Sequence, residues 1–137
     1  MIRRALIPLF VALCFAADPS HESADVITQL AAALTADNAQ EFLASFDRKM
    51  AGYDELRANV NALLQQADVQ SYVEIATNEG DDKARDLEIA WTLRIQRTGD
   101  ATALPERDAH IKCRLEKQGK NWRITAWDGV AFFAPAS

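Results

Sequence analysis

Two cysteines, two histidines and five glycines in 137 residues leave little material for metal centres, phosphate loops or a disulfide framework. The scattered glycines form neither a dinucleotide fingerprint nor a phosphate-binding loop. No Gly-x-Ser-x-Gly elbow presents a hydrolase nucleophile, and no Asn-x-Ser/Thr acceptor occurs. Basic residues are also in deficit, fifteen against twenty acidic, for a net charge of −5. That balance argues against a phosphate backbone as partner, so no nucleic acid is expected. With only nine Gly and Pro together, the chain is neither collagen-like nor low-complexity. What it has is hydrophobic residues, 49% of the total, at a length that makes one domain.

The N-terminus reads as a secretory signal peptide over residues 1–17. Arg3 and Arg4 supply the positive region, Ala5–Ala17 an uncharged, mostly apolar run, and Ala16-Ala17 the small residues before Asp18-Pro19. The run is about 13 residues, short of the ~20 that span a bilayer, which makes a membrane anchor the weaker reading. Cys14 does not resemble a lipoprotein site, because Leu13 rather than a small residue precedes it. The expected localisation is secreted or periplasmic, without stable membrane insertion after cleavage. Cleavage after Ala17 leaves thirteen basic and twenty acidic residues, and Cys113 as the only thiol. Such a cysteine is expected to be buried.

Residues 18–22 read as a polar leader and 23–134 as the domain. Three helices are expected first. Ser23 caps one with Val26, Leu30, Ala33 and Leu34 on its stripe. Asp37, with Gln40 three residues on, caps a second carrying Phe42, Leu43 and Phe46. Gly52 precedes a third, Tyr53 to Gln66, striped by Leu56, Val60, Leu63 and Leu64. From Val69 the rhythm becomes two-fold. Leu87, Ile89, Trp91, Leu93 and Ile95 alternate with polar neighbours, as do Ala109, Ile111, Cys113 and Leu115. Val69, Val73 and Ile75 precede them, and Trp122, Ile124 and Ala126 follow. The fold class is therefore α+β: three N-terminal helices packed on a curved four-stranded antiparallel sheet.

Ala36-Asp37 before Phe42 and Phe46, together with the final Gly119-Lys120-Asn121-Trp122-Arg123-Ile124 and Phe132-Phe133-Ala134-Pro135, resembles the nuclear-transport-factor-2-like (NTF2-like) superfamily. That superfamily includes SnoaL-like cyclases and ketosteroid isomerases. The likeness spans about Ala24 to Phe133 and implies a cystatin-like cone with a pocket between helices and sheet, often in a dimer. The isomerase pattern is incomplete. No Tyr lies between Ser23 and Ala36, and Asp47, nearest the general-base position, is followed by Arg48-Lys49 in what reads as a solvated charge cluster.

A turn at Gln118–Asn121 puts Leu115 opposite Ile124, Cys113 opposite Ala126 and Ile111 opposite Asp128. Leu93 then faces Ile111, and Trp91 faces Cys113. The expected ligand pocket comprises Phe42, Phe46, Tyr53, Leu56, Trp91, Leu93, Ile111, Cys113 and Asp128. On the apolar face Asp128 would act as general acid or base; as part of Asp128-Gly129 it would simply end the strand. Cys113 reads as a small hydrophobe rather than a nucleophile. Phe132 and Phe133 take opposite parities in the tail. The outer sheet face, with Tyr72, Glu74, Glu88, Thr92, Arg94, Lys112, Arg114, Arg123 and Trp127, reads as solvated surface or as a homodimer interface.

Three functions follow as expectations. The first is an exported domain binding a small apolar ligand in its cone. The second is a SnoaL-like isomerase, cyclase or dehydratase using Asp128. The third is a structural or dimerising module whose cone is filled by its own side chains. None calls for a cofactor or a metal.

Overall fold

A computed structural model describes residues 18–100 and 102–136, so the expected signal peptide lies outside the described residues. Asp18 opens the first helix, α1 (Pro19–Thr35), its carboxylate accepting from the Ser20 backbone N–H at 3.0 Å. Pro19 takes the first turn, where its missing N–H costs nothing. The start therefore lies upstream of the expected Ser23 cap. Residues 19–22 are helical rather than a leader, and Ser23 is fully buried inside the helix. Asp-Pro is a complete start signal, and the apolar stripe alone concealed the extra turn.

Asp37 is likewise not a cap. It takes a left-handed conformation (φ 60°) and ends α1, donating its N–H to Leu34 O while Asn38 donates to Ala33 O. That is a Schellman ending with Asp where glycine is commoner. The cap of α2 (Ala39–Ala44) is Asn38, which accepts from the Glu41 backbone N–H and donates Nδ2 to the Glu41 carboxylate. After this short helix the chain turns along Ile124, and Gly52 (φ 84°) opens α3 (Tyr53–Gln66) as expected.

The sheet follows directly: β1 (Ala67–Gly80), β2 (Ala84–Arg97), β3 (Arg107–Gln118) and β4 (Asn121–Trp127), an antiparallel meander in order 1-2-3-4. A short 3-10 turn, Val130–Phe133, closes the chain's path over the helices. Leu87, Ile89, Trp91, Leu93, Ile95, Ile111, Cys113 and Leu115 are buried against Ile27, Leu30, Leu34, Phe42, Leu56, Val60 and Leu63 of the helices.

Two registers differ from expectation. Leu93 faces Arg107, and Trp91 faces Ala109, a slip of four residues that keeps every side chain on its expected face. The cause is the β2–β3 connection: Ala103 and Leu104 continue pairing with Gln96 and Ile95 before Pro105, which delays the start of β3. The second change does alter faces. Leu115 pairs Ile124 as expected, but Arg114 then pairs Ala126 and Cys113 pairs Trp127, with Thr125 as the extra residue of a bulge. Trp127 thereby turns inward and Ala126 outward, the reverse of the sequence reading.

A bulge in β1, at Ala76, similarly turns Asn78 toward α1. There Asn78 donates to Ser20 O and accepts from Arg85 Nε, so the buried guanidinium is held by an amide rather than a carboxylate. No helix among the described residues is long and apolar enough to cross a membrane.

Candidate functional site

The inward turn of Trp127 completes an aromatic cluster at the heart of the cone. α2 and the segment after it contribute Phe42 and Phe46, β2 contributes Trp91, β4 contributes Trp127, and the 3-10 turn contributes Phe133. Phe133 lies 5.4 Å from Phe42, 5.3 Å from Trp91 and 6.0 Å from Trp127, centroid to centroid. Phe46 meets Trp127 edge-on at 5.1 Å. These spacings are those of favourable tilted and stacked ring pairs.

The three indole N–H groups fare differently. Trp91 donates to Ser71 Oγ at 2.6 Å and Trp122 to the Glu22 carboxylate at 3.0 Å. Trp127 Nε1 is buried without an acceptor among the described residues. It lies beside Ile111 under Gly129, where an added Cβ would come within 2.8 Å of Ile111 Cδ1 and 3.1 Å of Trp127 Nε1. Gly129 is thus required by close approach.

Phe133 is held from outside by side chains that grip the tail's carbonyls. Arg107 donates to Phe132 O (2.9 Å) and Ala134 O (2.6 Å), and Asn59 donates to Val130 O (3.0 Å). Gln66 both donates to Ala136 O and accepts from its N–H, each at 2.8 Å. Desolvation pulls the Arg107 guanidinium below its ordinary value. The tail therefore covers the cone through five side-chain to main-chain bonds.

Among the residues expected to line a pocket, Phe42, Phe46, Leu56, Trp91, Leu93, Ile111 and Cys113 are buried together in the core, while Tyr53 stands half-buried at its rim. Asp128 is not among them. It is exposed at the end of β4, its carboxylate accepting from the Lys112 backbone N–H at 2.8 Å and its own N–H donating to Lys112 O. The Thr125 bulge removed it from the inward face, and it ends the strand.

Asp47 is also outside the cone. Its carboxyl is held below the ordinary range first by the Lys49 backbone N–H and then by the Gln118 amide. Neither carboxylate therefore stands as an acid or base within the aromatic cluster. Burial pushes the Cys113 thiol up to about 12, with the Asp128 and Asp86 charges adding to the effect. Cys113 is accordingly expected to react with a thiol-selective disulfide reagent at least a hundredfold more slowly in the native protein than in denaturant, because the thiolate is the reactive form. Equal rates in the two states would show the thiol to be accessible.

The sequence reading missed a concavity of about 710 Å³ that lies outside the cone, at the edge of β4. Leu43, Ala44, Phe46 and Tyr53 form its apolar part, and Arg48, Lys49, Arg57 and Arg123 its charged part, with Gln40, Asp47, Asn61 and Gln118. These residues come from α2, the α2–α3 link, α3 and the β3–β4 hairpin, so no local motif announces them. The outer sheet face carries Arg94 paired with Glu106, Arg114 paired with Asp86 and Glu116, and an exposed Tyr72 under Arg94. Trp127 is absent from it.

No family model and no curated protein sequence matches the chain. Solved structures do. An NTF2-like superfamily protein from Salmonella enterica superposes with a TM-score of 0.64 at 11% identity, over 86% of this chain and 92% of that one. An NTF-2 like protein of unknown function from Shewanella oneidensis gives 0.61 at 13%, over 80% and 97%. A hexachlorocyclohexane dehydrochlorinase gives 0.62 at 8%, over 78% and 80%. Identities this low speak for architecture, and neighbours of different kinds share it. Three helices on a curved four-stranded sheet, matched over most of the chain by these proteins, give this chain the nuclear transport factor 2-like fold.

Proposed function

We propose that the chain is an exported, non-enzymatic binding protein whose cone admits a small flat aromatic molecule bearing one hydrogen-bond acceptor. The ligand enters by displacing Phe133. The observation that carries this reading is the orphaned Trp127 Nε1–H in an otherwise apolar interior. Buried donors nearly always have an acceptor, and leaving one unmet costs about 1–3 kcal/mol. A ring stacked on Trp127 in place of Phe133, with an acceptor at the indole edge, would meet it. The tail is a suitable gate because side chains, rather than a strand ladder, hold it. Burial of a phenylalanine is worth about 1.5–3 kcal/mol, so closure would weaken apparent affinity by roughly one to two orders of magnitude. Export rests on the N-terminal charge and hydrophobic pattern.

Acetophenone and ethylbenzene test the idea, being alike in shape but differing in the acceptor. Acetophenone should shift the indole N–H resonance of Trp127 alone among the three tryptophans. It should also speed amide exchange over residues 130–136 and bind about three- to tenfold more tightly than ethylbenzene. Trp127→Phe should abolish that preference. If saturating acetophenone moves neither the indole signal nor the tail's exchange, the cone is a filled core and the chain a structural module. The central position of Phe133 favours that second reading.

A further inference from the structure

We infer that the cleft beside β4 is a separate binding site for a small organic anion, one joining a carboxylate, sulfonate or phosphonate group to a short apolar part. The cleft gathers four cationic side chains, Arg48, Lys49, Arg57 and Arg123, against one carboxylate, Asp47. The adjoining hollow shared by Arg48, Tyr53 and Arg57 adds only Asp54. This cationic surplus stands out in a chain with a net charge of −5.

Local carboxylates offset it only in part: the Asp47 charge acts on Lys49 and Arg123, which leaves the cleft with more cations than anions. Both Asp47 oxygens are engaged, one by the Lys49 backbone N–H at 2.8 Å and the other by Gln118 Nε2 at 2.9 Å. Glu116, directly across the ladder from Arg123, is bound instead by Arg114 and Thr125. Among the described residues, Arg48, Lys49, Arg57 and Arg123 have no carboxylate within 4.0 Å. On the sheet face, by contrast, Arg94 and Arg114 are paired at 2.9 and 3.2 Å.

The apolar residues define the other half of the ligand. Ala44 is exposed and Tyr53 half-buried at the cleft wall, over the buried Leu43 and Phe46, giving a short ring or alkyl group something to cover. Guanidinium groups suit such an anion because their planar donor fork pairs two oxygens at once. The volume is within the range of small-molecule sites. The frame is firm where it matters: Asp47 N–H donates to Ile124 O and Ile124 N–H to Ser45 O, tying the α2–α3 link to β4.

Calorimetric titration of the whole protein with phenylphosphonate, inorganic phosphate and benzylamine tests the inference. Phenylphosphonate should bind, and weaken severalfold as sodium chloride rises from about 50 to 500 mM. Inorganic phosphate, lacking the ring, should bind at least tenfold more weakly, and benzylamine should give no heat. The R48Q/R57Q variant, altered at two exposed positions, should lose at least tenfold in phenylphosphonate affinity while melting with the wild type. Unchanged affinity in that variant, equal affinity for inorganic phosphate, or binding of benzylamine would each overturn the assignment. So would capture of phosphatidylglycerol vesicles without affinity for soluble phenylphosphonate. Trp127→Phe should leave the titration unaltered, which separates this site from the cone.

Discussion

Trp91→Ala is expected to lower the melting temperature by about 10–20 °C, the consequence of a loss of about 3–5 kcal/mol. The residue is 1% exposed and sits where β2 faces the helices, with Trp127 and Phe133 edge-on to its ring at 5.8 and 5.3 Å. Truncation removes ring contacts to both partners at once, and a close-packed interior relaxes only partly into such a hole. It also strands Ser71 Oγ, which accepts the Trp91 indole N–H at 2.6 Å. Trp91→Phe separates the two contributions. It keeps most of the packing and should lose only about 1–2 kcal/mol, much of it the missing hydrogen bond. Thermal unfolding followed by circular dichroism reads both. A shift below about 2 °C for Trp91→Ala would mean that the aromatic cluster does not organise the cone.

That cluster marks the boundary of what the sequence could disclose. The two-fold rhythm of residues 87–95 and 109–115 determines which side chains face inward, because a one-residue slip would expose them all. For that reason the four-residue slip between β2 and β3 moved partners without moving faces. A bulge acts differently. Thr125 has no glycine or proline to betray it, and Trp122-Arg123-Ile124-Thr125-Ala126 reads as smooth alternation; the adjacent apolar pair Ala126-Trp127 is the one break in the rhythm. One unpaired residue there sent Trp127 into the cone and Asp128 out of it, and with them the candidate acid.

The helix starts were misread for a related reason. Side-chain caps compete with their neighbours, and Asn38 with Glu41 makes a reciprocal pair that left Asp37 to the left-handed turn. Arg48 and Arg57 are nine residues apart, and Arg123 joins them only through the bridge between Phe46 and Ile124. A sequence read element by element presents Asp47-Arg48-Lys49 as a solvated charge cluster. The three-dimensional frame keeps Arg48 and Lys49 exposed, as that reading has it, and adds Arg57 and Arg123 beside them around one cleft.

Phe133→Ala should destabilise the protein by about 3–5 kcal/mol and, unlike most such losses, one that a small molecule can restore in part. The ring is fully buried among Phe42, Trp91, Phe132 and Trp127, while the main chain of the flanking residues Val130, Phe132, Ala134 and Ala136 hangs on Asn59, Arg107 and Gln66. Truncation leaves those main-chain bonds in place and so opens a hole under a tail that is still tied down. Toluene reproduces the missing benzyl group. At a hundredfold excess over its dissociation constant, a ligand that binds only the folded state contributes about 2.7 kcal/mol, recovering several degrees of the lost melting temperature. Wild-type protein, with its own ring in place, should gain far less at the same toluene concentration. Adding Arg107→Gln to Phe133→Ala should reduce the rescue, since a loosened tail lets the hole collapse or flood and Phe132 O and Ala134 O lose their cationic donor. Absence of rescue in Phe133→Ala itself would mean that helices and sheet close over the vacated space. The cone would then be a core held open by Phe133, with no chamber beneath it for any ligand to enter.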